Sequence, residues 1–236
     1  MARGFRRTLF PRDARHAMTR FDYEQARFNM IEQQIRPWDV LDPRVLDLLS
    51  AVKREDFVPP AYRTLAFADL ELPLANGSRM WTPKMEARVL QELMVQSSER
   101  VLEIGTGSGY LTALLAGNAG DVTSVDIDAA MAADARGKLA RHGFTNIRID
   151  VGDGARGFGR ETYDVIVLGG STPLLPERFF EQLAPGGRIF AVVGERPAMR
   201  ARLIHSEAPG ATTATDLFET VIAPLVNAAA PARFEF

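Results

Sequence analysis

A glycine-rich segment, VLEIGTGSGY at residues 101–110, is the first part of the chain whose pattern points to ligand binding. Glycines in alternate positions allow a tight turn close to a ligand, and N–H groups at the start of a following helix can bind its polar atoms. The dinucleotide-binding pattern is G-x-G-x-x-G, whereas the third glycine here comes one residue early. The lysine of a phosphate-binding NTPase loop is absent. The cofactor-binding candidates of this loop are Gly105, Thr106, Gly107, Ser108 and Gly109.

Two carboxylates follow at the spacing expected of a nucleoside site. Asp126, with Ile127 beside it, ends the next aliphatic run, 21 residues after Gly105. A carboxylate there can accept hydrogen bonds from two ribose hydroxyls, although Asp126 could instead cap a helix. Asp153 could accept from an adenine amino group, with Gly154 leaving room for the ring, or the segment could be a plain turn.

The order of these features resembles the S-adenosylmethionine half of class I methyltransferases. The resemblance implies S-adenosyl-L-methionine as cofactor and an α/β fold with a doubly wound, mostly parallel, seven-stranded sheet. Glu103, just before the loop, would hold the methionine amino group directly or through water. Alternatively, it is a buried acid satisfied by backbone N–H groups.

The surrounding elements are those of an α/β domain. Short aliphatic runs alternate with helical patterns from residue 100 onward, which predicts βαβ units and a mostly parallel sheet. Strands are predicted at residues 101–104, 122–126, 147–151, 163–168 and 188–193, with a further candidate at 217–226. Helices are predicted at residues 110–116, 129–142 and 176–183, and a turn at 185–187.

The first 100 residues are predicted to be mainly helical. Helices are expected at residues 21–35, 44–50, 62–68 and 83–96, with a loop at 73–83. We therefore divide the chain into a basic, disordered leader at 1–20, a helical annex at 21–82 that caps the acceptor side, and a methyltransferase domain at 83–236. The basic segment could alternatively be a nucleic-acid-binding arm or a targeting segment.

Charge and composition exclude several classes of protein. The net charge of −2 divides into +5 for residues 1–20 and −7 for the remainder, so the body of the chain has no general attraction for nucleic acid or anionic lipid. The absence of cysteine excludes thiolate nucleophiles and thiolate metal sites, and no histidine pair has metal-ligand spacing. No apolar run is long enough to span a membrane. We expect a cytoplasmic protein, a monomer or homodimer, with no metal.

Family-specific motifs lie in the annex. MIEQQIR at residues 30–36, VKREDFVP at 52–59, AFAD at 66–69 and LPL at 72–74 resemble the protein-L-isoaspartate O-methyltransferases, as do the glycine loop and the ending Arg233-Phe234. The resemblance implies methylation of the free carboxylate of isoaspartyl residues in damaged proteins. It also implies that the last strands depart from the common methyltransferase order.

The acceptor segment differs from the family pattern. The family has a G-Q-T-I-S-Q-P-like stretch whose hydroxyl residue contacts the acceptor carboxylate, and this chain has GSRMWTP at residues 77–83. If Pro83 sets the register, Trp81 stands at the hydroxyl position, Thr82 is one place away and Ser78 three. These three residues are the candidates for acceptor positioning.

Four more residues are candidates on the acceptor side. Arg79 could pair with an anionic acceptor or be an exposed loop arginine. Met80, with Trp81, could wall a pocket or fill the core between annex and sheet. Ser171 and Thr172 follow the fourth predicted strand and could contact the acceptor or cap the next helix.

The sequence also suggests which acceptor chemistry is possible. A carboxylate is ionised at pH 7 and needs no general base, and no base is evident. We therefore expect O-methylation of a carboxylate in a protein, a peptide or a small molecule. One alternative is a methyltransferase of the same fold with a different acceptor, because of the change at Trp81. The other is a cofactor-binding regulatory protein without catalysis.

Overall fold

The computed structural model describes residues 21–208 and 210–230, so the predicted leader and the Arg233-Phe234 ending lie outside the described part. Seven strands form the main sheet. They are β3 (Arg100–Ile104), β4 (Asp121–Asp126), β5 (Ile147–Val151), β6 (Tyr163–Leu168), β7 (Leu183–Glu195), β8 (Ala198–Ala208) and β9 (Ala211–Glu219).

The strand order is β5-β4-β3-β6-β7-β8-β9. Strands β5, β4, β3, β6 and β7 are mutually parallel, and β8 and β9 add an antiparallel meander in chain order. The prediction of a mostly parallel seven-stranded sheet is therefore confirmed. The carboxyl ends of the parallel strands lie along one edge, where such sheets bind ligands.

The helices of this domain are α3 (Pro83–Leu93), α4 (Tyr110–Asn118), α5 (Ala129–Arg141) and α6 (Glu177–Glu181), and polar side chains cap the first and the third of them. Thr82 caps α3 by accepting from the Met85 N–H, and Pro83 occupies the first turn. Asp128 caps α5 through the N–H groups of Ala130 and Met131.

The annex contains α1 (Tyr23–Met30), which continues as a π-helical turn at Ile31–Ile35, and α2 (Pro43–Ala51). The helix predicted at 62–68 is a 3₁₀ turn at Pro60–Leu65, where Pro59 and Pro60 favour a short turn. The loop predicted at 73–83 contains a small hairpin, because β1 (Leu72–Pro73) pairs with β2 (Arg79–Met80).

The predictions for the C-terminal third need correction. Strand β8 was missed because its buried residues alternate with exposed ones, and no continuous aliphatic run marks it. The strand predicted at 217–226 lies earlier, at Ala211–Glu219, and the chain then leaves the sheet. Residues 185–187, predicted as a turn, lie within β7 at a shift in its register with β6.

One hydrophobic cluster joins the annex to the sheet. It includes Leu49 and Phe57 of the annex, Leu114 of α4, and Val165 and Phe190 of the sheet. A second cluster covers the opposite sheet face, around Phe179 of α6. The annex therefore packs on the sheet as part of its main core. Within the described residues, no helix has the length and apolar character to cross a bilayer.

Candidate cofactor and acceptor site

A cleft of about 150 Å³, open to solvent, lies at the carboxyl edge of the parallel strands. The strand-end loops form one side of it, and the β1–β2 hairpin of the annex forms the other. A smaller cleft of about 40 Å³ adjoins it. Both clefts are bordered by Arg79, Trp81, Gly105, Gly107 and Gly169.

Most of the candidate residues meet here. The larger cleft is bordered by Ser78, Arg79, Trp81, Gly105, Gly107, Asp126, Ile127, Asp153 and Gly154. The smaller cleft adds Met80, Thr106 and Ser108. Five candidates border neither cleft: Thr82, Glu103, Gly109, Ser171 and Thr172.

The glycine loop has a backbone shape that favours glycine. The φ angles of Gly105, Gly107 and Gly109 are +96°, +52° and +82°, in the left-handed region. The Gly105 N–H donates to the carbonyl of Val125 at 2.7 Å, and the Thr106 hydroxyl lies 2.6 Å from that of Ser124. The loop is thus tied to the end of β4.

Gly109 acts through packing. A Cβ atom at this position would lie 3.1 Å from that of Ala135, so the glycine lets α4 approach α5. Its own N–H donates to the carbonyl of Thr106 at 2.9 Å. Ser108 accepts from the Tyr110 N–H at 3.2 Å. Gly109 therefore shapes the loop without bordering the cleft.

Asp126 is buried at the tip of β4 and holds the glycine loop. One carboxylate oxygen accepts from the Gly107 N–H at 2.8 Å and the other from the Asp128 N–H at 2.9 Å. Since each carboxylate oxygen can accept two hydrogen bonds, one acceptor position remains on each. The helix cap in this segment is Asp128, so Asp126 keeps its free positions for a ligand.

Asp153 is organised in the same way after β5. Its two oxygens accept from the Ala155 N–H at 3.0 Å and the Asn227 amide at 2.9 Å. These bonds hold the pKa of Asp153 below its ordinary value, with the Ala155 backbone bond the largest cause. A charged acceptor therefore stands at the cleft, next to Gly154, which packs on Ile104.

Glu103 is fully buried and lies outside both clefts. One oxygen accepts from the hydroxyls of Thr112 at 2.5 Å and Ser124 at 2.6 Å, which are side-chain partners rather than the backbone N–H groups considered above. The other oxygen has no partner among the described residues. Burial raises the pKa of Glu103 to about 7, and the nearby charge of Asp126 adds to this effect.

The raised pKa of Glu103 predicts a pH-dependent stability. Between its ordinary pKa of 4.5 and about 7, the folded protein keeps a proton that the unfolded chain releases. The free energy of unfolding should therefore fall as pH rises through this window. Between about pH 5 and pH 8, the free energy of unfolding measured in urea should fall by on the order of 2 kcal/mol more for the wild type than for Glu103→Gln. Equal losses in both proteins would contradict this assignment.

Gly169 and Gly170, after β6, are important for the shape of the cleft, and the sequence analysis did not select them. A Cβ atom on Gly169 would lie 2.9 Å from the carbonyl oxygens of both Ile104 and Gly105. A Cβ atom on Gly170 would lie 2.9 Å from the Leu225 nitrogen. The adjacent glycines at a strand end were the signal that could have identified them.

Gly169→Ala should displace the glycine loop because both clashing atoms belong to the backbone. We expect at least a tenfold weaker affinity for S-adenosylhomocysteine in calorimetry, together with lower stability. Gly137→Ala in α5 is the matched control, because its nearest neighbour is a flexible arginine end at 3.5 Å. That control should keep the affinity and gain stability from better helix propensity. Equal affinities in the two variants would contradict the role of Gly169.

The annex hairpin forms one wall of the clefts. Trp81 is buried and packs edge-on against Phe190, with the ring centroids 6.2 Å apart. Met80 is also buried, whereas Arg79 is exposed. The Ser78 hydroxyl donates to the Asn76 side chain at 2.6 Å. Trp81 and Met80 thus fill core volume and border a cleft at the same time.

A buried arginine holds this wall in place. Arg54 donates to the backbone carbonyls of Trp81 at 2.6 Å and Ala66 at 2.8 Å, and it forms a short ion pair with Glu86. Its guanidinium lies 5.0 Å from the centroid of the Tyr110 ring. The network links the annex to α3 and to the helix after the glycine loop. Arg54 was not among the selected residues.

Ser171 and Thr172 border neither cleft, and each donates its hydroxyl to a main-chain carbonyl. The Ser171 hydroxyl donates to the Ile222 carbonyl at 3.3 Å, and that of Thr172 to the Leu174 carbonyl at 2.5 Å. Their backbones pair with β7 and with the C-terminal segment. Residues 223–226 of this segment border the larger cleft, and they were missed because their role depends on contacts distant in sequence.

Comparison with known proteins identifies the family. The sequence model described as Protein-L-isoaspartate(D-aspartate) O-methyltransferase matches residues 25–230. The chain belongs to this family. A Protein-L-isoaspartate O-methyltransferase of Koribacter versatilis is 36% identical over 211 residues, covering 89% of this chain and 94% of the relative. One of Methanoculleus marisnigri is 42% identical over 171 residues, covering 72% and 78%.

A solved structure has the same fold. It is a protein-L-isoaspartate O-methyltransferase from Plasmodium falciparum in complex with S-adenosyl-L-homocysteine, with a TM-score of 0.74 and 18% identity. The alignment covers 87% of this chain and 98% of that one. Within residues 21–208 and 210–230, no group of acidic and histidine side chains is placed to hold a metal ion.

Proposed function

We propose that this protein transfers a methyl group from S-adenosyl-L-methionine to the free carboxylate of L-isoaspartyl residues in proteins or peptides. One observation carries the proposal. The family match spans residues 25–230, which include both the glycine loop and the annex hairpin, and these two parts face each other across one cleft.

The residues present fit the cofactor. Asp126 offers two free acceptor positions for ribose hydroxyls, and Asp153 is a charged acceptor for the adenine amino group. The positive φ angles of Gly105 and Gly107 let backbone groups approach the ligand closely. When bound, S-adenosyl-L-methionine supplies an electrophilic methyl group attached to a positively charged sulfur.

The remaining task of the chain is to align the acceptor and exclude water. The acceptor carboxylate is already ionised at pH 7, so no group needs to remove a proton from it. Trp81 and the hairpin wall limit the directions from which an acceptor can enter. Aligning the acceptor carboxylate with the methyl group and excluding water are sufficient to accelerate such a displacement.

A second candidate is methylation of a different carboxylate by the same machinery. The indole of Trp81 stands at the position where the family resemblance places a hydroxyl, and its ring N–H is a donor with another reach and direction. An acceptor other than an isoaspartyl peptide would then fill the space in front of the hairpin.

Methyl-labelled cofactor distinguishes the two candidates. The purified protein is incubated with an isoaspartyl peptide or with its aspartyl isomer. We expect label in the isoaspartyl peptide only, released as volatile methanol in mild base because the product is an ester. Label in neither peptide, with the cofactor bound, would refute the isoaspartyl proposal and favour another carboxylate.

A further inference from the structure

Arg79 is the one cationic side chain among the described residues that border the two clefts. It borders both of them, as does Trp81. Among residues 21–208 and 210–230, the Arg79 guanidinium forms no ion pair, although many other arginines of the chain do. Arg79 is therefore available to a ligand.

The other titratable side chains around the clefts are acids, of which Glu86 has its pKa raised by burial to about 8. Glu71, Asp126 and Asp153 border the larger cleft, and Glu86 borders the smaller one. Two of these acids are assigned to the cofactor, and Glu86 is paired with Arg54. An anionic acceptor would be repelled by such a surface unless a cation faced it.

The backbone around Arg79 is well fixed. Arg79 lies in β2 and pairs with Pro73, while Arg54 holds the Trp81 carbonyl two residues later. The Ser78 N–H donates to the Asn76 side chain at 3.0 Å, which closes the turn before β2. The Arg79 side chain thus extends from a fixed strand and borders the same two clefts as Trp81.

We propose that Arg79 binds the acceptor carboxylate through two hydrogen bonds. Arg79 would thus replace the hydroxyl group that the family pattern has at the position of Trp81. A guanidinium matches a carboxylate through two parallel hydrogen bonds. The inference rests on the proposed function and concerns how the acceptor, an isoaspartyl peptide, is held.

The test compares Arg79→Gln and Arg79→Lys with the wild type in methyl transfer to an isoaspartyl peptide. We expect Arg79→Gln to raise KM for the peptide by about tenfold or more, with a much smaller change in kcat. The increase in KM should be smaller in Arg79→Lys than in Arg79→Gln, because lysine keeps the positive charge but lacks the paired N–H donors of the guanidinium. Arg160→Gln, an exposed arginine before β6 and away from the clefts, is the matched control.

A binding measurement separates this inference from the proposed function. The chain has two tryptophans, so Trp38→Phe makes Trp81 the single fluorescent reporter. Peptide is titrated into the protein saturated with S-adenosylhomocysteine. Lost peptide binding in Arg79→Gln, with unchanged affinity for S-adenosylhomocysteine, supports the assignment even if turnover is absent.

Three results overturn the inference. Equal peptide binding and KM in the wild type and Arg79→Gln would remove Arg79 from acceptor recognition while leaving the methyltransferase function intact. Weaker S-adenosylhomocysteine binding with unchanged peptide binding would assign Arg79 to the cofactor instead. A wild type that neither binds nor methylates the peptide would refute both proposals.

Discussion

Asp126→Ala is expected to weaken S-adenosylhomocysteine binding by about 1 to 3 kcal/mol, or roughly five- to 150-fold. The substitution removes the free acceptor positions that would meet the ribose hydroxyls. It also releases the Gly107 N–H, which the carboxylate holds at 2.8 Å, so the glycine loop loses one of its anchors to β4. Isothermal titration calorimetry measures the loss directly.

Asp128→Ala is the matched control for this prediction. Asp128 has the same charge two residues away, but its side chain caps α5 through the N–H groups of Ala130 and Met131. Its removal should cost about 1 kcal/mol of stability and change the affinity less than threefold. An Asp126→Ala variant that binds as tightly as this control would show that the ribose site lies elsewhere.

Arg54→Met is expected to destabilise the fold by about 3 to 5 kcal/mol. The guanidinium is only 1% exposed and satisfies two backbone carbonyls together with the carboxylate of Glu86, which is 2% exposed. Without Arg54, Glu86 would be buried with no cation beside it. Urea unfolding at neutral pH measures the loss.

Two further proteins make this prediction specific. Arg54→Met combined with Glu86→Leu should recover much of the stability, because the uncompensated buried acid is gone. Arg100→Met removes an exposed arginine whose partner Glu161 lies at 3.1 Å, and it should change stability by less than about 1 kcal/mol. Similar losses for Arg54→Met and Arg100→Met would contradict the role of the buried network.

The cofactor side of the site could be predicted because its signals are local. The glycine loop, the strand-end acid Asp126 and the acid Asp153 each follow a short aliphatic run, and the parallel topology brings such positions together. Strands β5 and β6 have the predicted bounds because they are aliphatic runs between helical patterns. Local pattern and global fold agree in this half of the chain.

The acceptor side could be predicted only in part because its geometry depends on distant contacts. Arg54 fixes Trp81 from 27 residues away. The two-residue strands of the hairpin have no periodicity to detect. Gly169 owes its importance to carbonyl groups on a neighbouring strand, which a single sequence does not reveal.

The cleft at the carboxyl edge of the sheet is expected to bind the nucleoside cofactor of a methyltransferase. Calorimetric titration of the wild-type protein with S-adenosylhomocysteine tests this expectation. We predict one site per chain with a dissociation constant well below about 1 mM. A dissociation constant of about 1 mM corresponds to a binding free energy of about −4 kcal/mol, and we take weaker binding as non-specific. Absence of measurable binding at millimolar ligand would contradict the methyltransferase assignment and every residue role derived from it.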